Sequence, residues 1–139
     1  MLYVVKQDEF WNDLAVNVDY LSHISNAILS LEGDDKTIAD GVECMSVITK
    51  TFKEKSEMPN AIEDVIQAFE KQQYRLKHFS NPAALAANLL HPKYRGKNLT
   101  PSQRQEAALY ITATANGNAA IRKNISNILA QFQSMSGFV

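Results

Sequence analysis

Cysteine and long apolar runs are both scarce in this sequence of 139 residues, and each shortage excludes a class of protein. Cys44 is the only cysteine, so no disulfide can form within the chain, and a small buried side chain is its expected role. No apolar run approaches the roughly 20 residues that span a bilayer. The first residues lack the charged start and cleavage site of a signal peptide. We therefore expect a nuclear or cytosolic protein with no membrane segment.

Motifs for metal, nucleotide or nucleophilic chemistry are missing as well. Zinc needs three or four converging ligands, whereas His23, His78 and His91 are scattered without metal-binding spacing. The five glycines occur singly, which excludes a Walker loop and a G-x-G-x-x-G motif. We expect no catalytic residue, no metal and no cofactor. Because His23 follows Asp19 by four residues, these two side chains are expected to form an ordinary surface pair on one helix face.

Neither sign of charge dominates the chain. There are 14 Lys and Arg residues against 15 Asp and Glu, a formal net charge of −1, so any contact with nucleic acid needs a local patch. The densest positive cluster is Lys93, Arg95 and Lys97, with Arg104 on the next predicted helix and Tyr94 between the cations. Such cations can contact DNA phosphates while the aromatic ring stacks on an unpaired base. The alternative is that Tyr94 packs inward and the cations are merely solvated.

What the sequence does contain is apolar residues spaced by three and four, the period of a helix that buries one face. This spacing predicts helices at about 10–31, 38–52, 62–76, Pro82–Leu90, Pro101–Ala113 and 121–132. Gly33 is expected to cap the first of them. We therefore predict an all-α fold, an irregular bundle of five to six helices, with residues 1–139 forming a single domain. The predicted core residues are Phe10, Leu14, Leu21, Ile28, Val42, Ile48, Ile66, Leu85 and Leu89. Trp11 is expected to be a core anchor.

Residues 81–103 carry the clearest local signals. Pro82 and Pro101 suit the first turn of a helix, where the missing N–H has no cost. Thr100 and Gln103 have the spacing of a capping box, and Pro92 must end the helix before it. A short apolar helix, a basic loop with a glycine, and a second helix are expected in that order.

This passage resembles the A-x-x-L-x-P-x-Y-x-G-x-x-L stretch of the hAT-type DNA transposases and of host proteins derived from them. The first helix adds two further likenesses, Phe10-Trp11 for the family's F-W and residues 21–34 for its L-x-P-I-x-x-x-I-x-x-L-E-G-D, with His23 in place of the proline. In that family these stretches lie in a helical insertion within a ribonuclease-H-like catalytic domain. The resemblance is clearest over residues 8–113.

The resemblance implies a fragment without catalysis, since the family's catalytic carboxylates lie outside the matched region. We expect a transposase-derived, nuclear helical module that assists DNA binding or assembly. Its expected partners are DNA, bound weakly and without sequence preference, and other protein chains or the rest of a transposase. The alternative is a free-standing helical module for protein–protein interaction, with an exposed apolar stripe around Phe79 or Phe138.

Overall fold

The computed structural model of the chain describes residues 7–58, 63, 67, 70, 71, 74, 81–115 and 117–135. Five helices have both ends within these residues: α1 (Asp8–Leu31), α2 (Ile38–Ser56), α3 (Pro82–Leu90), α4 (Pro101–Ala113) and α5 (Ala119–Ser134). The described residues 63, 67, 70, 71 and 74 are helical as well. None of the described residues lies in a strand, so the prediction of an all-α fold is confirmed. The apolar residues of the predicted helix at 62–76 lie outside the described residues. So do Lys77 and His78, which precede α3 and were expected to add to the positive patch, and Phe79 and Phe138.

The chain divides into two compact units, residues 1–36 and residues 37–139. The first unit contains α1, a helix of 24 residues in which no residue is buried. The second unit contains α2, α3, α4, α5 and the core. The division of the chain into one domain or more stays a prediction. No helix within the described ranges is long and apolar enough to cross a membrane.

α3 has more buried residues than any other described helix. It packs against α2 and α4, and α4 also packs against α5. Its sequence is apolar on almost every side, as expected of a helix with neighbours on more than one face. The main core cluster consists of Leu85, Ala86, Leu89, Leu99, Ala107 and Leu129, with Val42, Ala108 and Ile111 packed against it.

The predicted bounds of α3 and α4 are confirmed. Proline and side-chain caps close to each start set these bounds. The Asn81 side chain accepts a hydrogen bond from the backbone N–H of Ala83 at 2.9 Å, and Pro82 follows as the first helical residue. At the start of α4 the Thr100 backbone N–H donates to the Gln103 side chain at 2.9 Å, and the Gln103 N–H donates to the Thr100 hydroxyl at 3.3 Å. This is the predicted capping box.

The end of α1 differs from the prediction. Its C-terminal cap residue is Glu32, with a right-handed φ of −76°, and the Gly33 carbonyl accepts a hydrogen bond from the Lys36 N–H at 3.1 Å. Among the described glycines only Gly96 and Gly117 have positive φ, so the expected cap at Gly33 is wrong. A glycine after a helix permits a left-handed cap but does not impose one.

The core predictions divide between the two units. Ile48, Leu85 and Leu89 are buried as predicted, and Val42 packs against the core cluster. Ile66 lies outside the described residues. Four of the predicted core residues are exposed instead, and the prediction for them is wrong: Phe10, Leu14, Leu21 and Ile28. Trp11, the expected core anchor, is exposed as well.

Candidate functional site

The first candidate site is the loop of residues 91–99, which joins α3 to α4 and carries the predicted DNA-contacting residues. Its backbone folds back on the end of α3, since the Gly96 N–H donates to the Asn88 carbonyl at 3.3 Å and the Arg95 N–H donates to the His91 carbonyl at 2.9 Å. Arg95 and Gly96 both adopt positive φ, 50° and 66°. Left-handed residues in sequence reverse the chain sharply, so the 91–99 loop is a compact structure and not an extended linker.

The Tyr94 side chain makes its contacts within the protein. Its hydroxyl donates a hydrogen bond to the Asp40 carboxylate at the start of α2, and its ring stacks on that of His91 at 4.5 Å between centroids. The side chain is half-buried. A tyrosine held at both its hydroxyl and its ring face is poorly placed to stack on a nucleic acid base. The inward-packing alternative considered for Tyr94 is the arrangement observed.

Asp40 collects hydrogen bonds from two elements. One carboxylate oxygen accepts from the backbone N–H of Thr37 at 2.8 Å and from its hydroxyl at 2.7 Å, while the other accepts from Tyr94. These bonds, the Thr37 hydroxyl first and Tyr94 next, hold the pKa of Asp40 well below its usual value. The same carboxylate raises the pKa of Tyr94 to about 12. The pair therefore ties the start of α2 to the 91–99 loop.

A second polar contact joins the same elements. Asn88, in the middle of α3, is completely buried, and its amide donates to the Ala39 carbonyl at 3.1 Å and to the Glu43 carboxylate at 3.2 Å. Asn98 donates to the other oxygen of Glu43 at 2.5 Å. This cluster was not predicted from the sequence, although a lone asparagine inside the apolar run 83–90 is a signal for a buried polar bond. Its role here is to fix α2 against α3.

The four predicted phosphate-contacting cations have different roles. Arg104 holds the loop, since its guanidinium donates to the Gly96 carbonyl at 3.0 Å and to the Lys97 carbonyl at 3.1 Å. Arg95 donates to the Pro92 carbonyl at 3.0 Å, with its guanidinium 5.4 Å from the centre of the Phe132 ring. The Lys93 ammonium lies 5.3 Å from the Tyr94 ring centre. Lys93 and Lys97 are exposed, and none of Lys93, Arg95 and Lys97 has an ion-pair partner among the described carboxylates.

The second candidate site is the apolar face of α1. Leu14, Leu21 and Ile28 are 41%, 63% and 55% exposed, although they repeat at helical spacing on one side of a long helix. Phe10 and Ile24 are also exposed on that side. We call these five residues, together with the half-buried Leu31, the α1 face. Apolar residues in such a continuous stripe mark an interaction surface more often than an ordinary protein exterior.

The apolar stripe of α1 was predicted from the sequence, but its seven-residue period was not. Leu14, Leu21 and Ile28 lie seven residues apart, as do Phe10, Asn17, Ile24 and Leu31. The two rows alternate by three and four residues. A strict seven-residue repeat averages 3.5 residues per turn, the period of helices that pair along their length, whereas a helix on a globular core needs only the looser 3.6. The seven-residue period is therefore the feature of the sequence that could have predicted an exposed, pairing face on α1.

The remaining predicted features are ordinary. His23 lies 3.8 Å from Asp19 on α1, an exposed pair on one helix face as expected. Within the described ranges, no three His, Cys, Asp or Glu side chains come together in a way that could hold a metal ion.

Comparison of the chain with protein-family models, with curated proteins and with solved structures found no match in any of the three.

Proposed function

We propose that this chain is a non-catalytic assembly module that binds another protein helix through the α1 face. The observation that carries the proposal is the exposure of Leu14, Leu21 and Ile28 along a helix of 24 residues in which nothing is buried. An amphipathic helix in water gains most of its stability from covering its apolar side. The face is therefore best explained as a surface that another helix covers.

The charges of α1 agree with this use. Its acidic residues are Asp8, Glu9, Asp13 and Asp19, all in the N-terminal half, and the helix contains no lysine or arginine. Asp8 and Glu9 in the first turn favour the helix dipole. The apolar rows themselves carry no charge, so a partner helix can approach them without burying an ionised group.

The resemblance to the hAT-type insertion supports the same proposal, because that insertion is part of a larger transposase. Such an insertion contributes structure and assembly while the catalytic carboxylates come from elsewhere, and the proposal extends this to the present chain, with the nucleus as the implied compartment. We expect the purified chain to lack metal-dependent nuclease activity. Cleavage of DNA with magnesium or manganese, lost on changing a single carboxylate, would contradict the proposal.

A matched pair of variants tests the role of the α1 face. Leu21→Glu places a charge on the face, while Asn26→Glu places the same charge on the other side of α1. We expect proteins that co-purify with the parent and with Asn26→Glu to be lost with Leu21→Glu, while circular dichroism shows equal helix content in all three. If Leu21→Glu retains every associated protein, or if it unfolds the chain, the α1 face is not a binding surface.

A second candidate function is weak DNA binding through the 91–99 loop. The observation in its favour is that Lys93 and Lys97 are exposed on a loop fixed by Arg104, with no described carboxylate paired to either. Two neutralised phosphates would give a slope of about −2 for the logarithm of the binding constant against that of the salt concentration. Contacts of this kind are blind to base sequence.

The DNA test compares two double variants of equal charge. Lys93→Ala with Lys97→Ala removes the loop cations, and Lys50→Ala with Lys123→Ala removes two other exposed lysines. We expect only the first to weaken binding in a low-salt titration and to flatten its salt dependence. Equal binding by both would remove the loop from the proposal.

A further inference from the structure

The seven-residue repeat of α1 specifies more than an apolar face. With Leu14, Leu21 and Ile28 in one row and Phe10, Asn17, Ile24 and Leu31 in the other, the helix carries three heptads without a break in spacing. A helix of 24 residues is about 36 Å long, so the two rows form a continuous seam over its length. Such rows pack as knobs into the holes of a partner that repeats with the same period.

We infer that the partner is a second copy of this chain, with the α1 helices pairing as a parallel coiled coil. The inference rests on the proposed function and names the occupant of the α1 face. It commits to this chain because both the flanks of the seam and its one polar position suit an identical helix.

The flanks of the seam argue against a partner chosen by charge. Trp11, Val18 and Ser25 border the seam on one side, and Asp13, Tyr20 and Ala27 border it on the other. Coiled coils that select a different chain do so mainly through charged residues at these flanking positions. Here only Asp13 is charged. The other acidic residues, Asp8, Glu9 and Asp19, lie away from the seam, so two identical helices can meet without opposing carboxylates.

Asn17 supplies the second argument. It is the one polar residue in the two rows, and its amide donates to the Asp13 carbonyl at 2.9 Å. In a parallel pair in register, Asn17 of each copy falls in the same layer. An amide carries both donors and acceptors, so two such side chains can bond each other, whereas an apolar partner would leave the amide unmatched. A single polar layer in an otherwise apolar seam favours the one register in which the two amides face each other.

Sedimentation equilibrium on the full chain tests the inference. Three heptads are near the lower limit for a stable coiled coil, so the pairing is concentration-dependent. We expect the mean mass to rise from 15.5 kDa towards about twice that value as concentration increases. Leu21→Glu should raise the dissociation constant by roughly tenfold or more, since it brings a charge into the seam. Asn26→Glu should leave it unchanged.

Disulfide trapping tests the orientation. In a Cys44→Ser background, Asn17→Cys should give a covalent dimer under mild oxidation, because position 17 meets itself only in the parallel register. Asn12→Cys, on the outer side of α1, should remain monomeric under the same conditions. A dimer by sedimentation that Asn17→Cys fails to trap would overturn the parallel arrangement.

The outcomes separate this inference from the proposed function. A constant mass of one chain at every concentration overturns self-pairing, and if Leu21→Glu still loses associated proteins, then the α1 face binds a different chain. A dimer that persists unchanged in Leu21→Glu places the contact elsewhere and overturns the inference directly. Loss of the dimer in Leu21→Glu alone, with helix content preserved, supports both.

Discussion

At the scale of single residues, Gly96 meets two separate constraints. Its φ is +66°, and a Cβ added there would lie 2.6 Å from Leu89 Cδ1 and 3.4 Å from Leu99 Cδ1. The first constraint concerns the backbone alone, and the second concerns the close approach of the 91–99 loop to α3. The loop can cover Leu89, which is fully buried, only because residue 96 has no side chain.

Gly117 allows the two constraints to be measured apart. Its φ is +81°, but an added Cβ meets no heavy atom of the described residues within 4 Å. We expect Gly117→Ala to lower the free energy of unfolding by roughly 1–2 kcal/mol, the cost of left-handed backbone. Gly96→Ala should cost roughly 1–3 kcal/mol more, because it also overpacks the core. Urea denaturation of both variants checks this, and equal losses would show that the loop yields to the extra methyl group.

The hydrogen bond between Asp40 and Tyr94 predicts how stability depends on pH at both ends of the range. The pKa of Asp40 lies below its ordinary 3.8, so on acidification the unfolded chain takes up this proton first, and stability falls from about pH 3.8 downwards. The pKa of Tyr94 rises from 10.0 to about 12, so the unfolded chain loses this proton first on the alkaline side. On the alkaline side, the stability that the Tyr94 hydroxyl contributes is fully present up to about pH 10 and is lost as pH rises through 12.

Tyr94→Phe is the informative variant for this prediction. We expect it to reduce the loss of stability above pH 10 while retaining much of the acid dependence, because the largest cause of the Asp40 shift is Thr37. Tyr110→Phe, at an exposed tyrosine of α4, should leave the alkaline dependence as in the parent. Thermal unfolding measured from pH 8 to beyond pH 11 compares the three chains. If Tyr94→Phe loses as much stability above pH 10 as the parent does, the bond to Asp40 does not persist in solution.

At the scale of helices, α3 shows how strongly a short element can depend on its neighbours. It has nine residues, too few to be stable alone in water, and five of them are buried. We expect Leu85→Ala, at a site 2% exposed, to cost roughly 2–5 kcal/mol, because a cavity forms between packed helices. Leu90→Ala, at a site 48% exposed on the same helix, should cost well under roughly 1 kcal/mol. A Leu85→Ala midpoint equal to that of the parent in denaturant would contradict this packing.

The bounds of α3 and α4 could be read from the sequence because the signals are local. Pro82, Pro92 and the pair of Thr100 and Gln103 act on their own neighbours through φ, missing donors and side-chain caps. The contacts of Asn88 with Ala39 and Glu43 could not be read in the same way, since they join residues 49 and 45 positions apart. Periodicity identifies which face of a helix is apolar but not which residues will cover it.

α1 illustrates that limit. The spacing of its apolar residues predicted the helix correctly, and the same spacing was wrongly interpreted as proof of burial in a core. The distinction between 3.5 and 3.6 residues per turn separates a helix built to pair from one built to pack on a globule, and it requires three full heptads before the two periods differ visibly.

At the scale of the whole molecule, the even balance of charge leaves the cations little collective effect. Arg104 and Arg95 are engaged with backbone carbonyls, which sequence analysis could not foresee because a cluster of cations has the same composition whether it holds a loop or a phosphate. Of the four predicted phosphate-contacting cations, only Lys93 and Lys97 are exposed without such a described bond, and DNA binding accordingly ranks below assembly among the proposed functions. The transposase resemblance itself stays a proposal.

The contacts of Asn88 and Asn98 with α2 also bear on the order of folding. They span 49 and 55 residues, whereas Leu99 packs near Leu89 and the helices on either side of the loop are adjacent in sequence. Closing a long loop costs more chain entropy than joining neighbours, so we expect α3, the loop and α4 to form first and α2 to dock late. In stopped-flow measurements Leu99→Ala should then mainly slow refolding, and Ile48→Ala should mainly speed unfolding. The polar bonds that fix α2 would thus slow unfolding and prolong the lifetime of the native state, with little effect on the rate of folding.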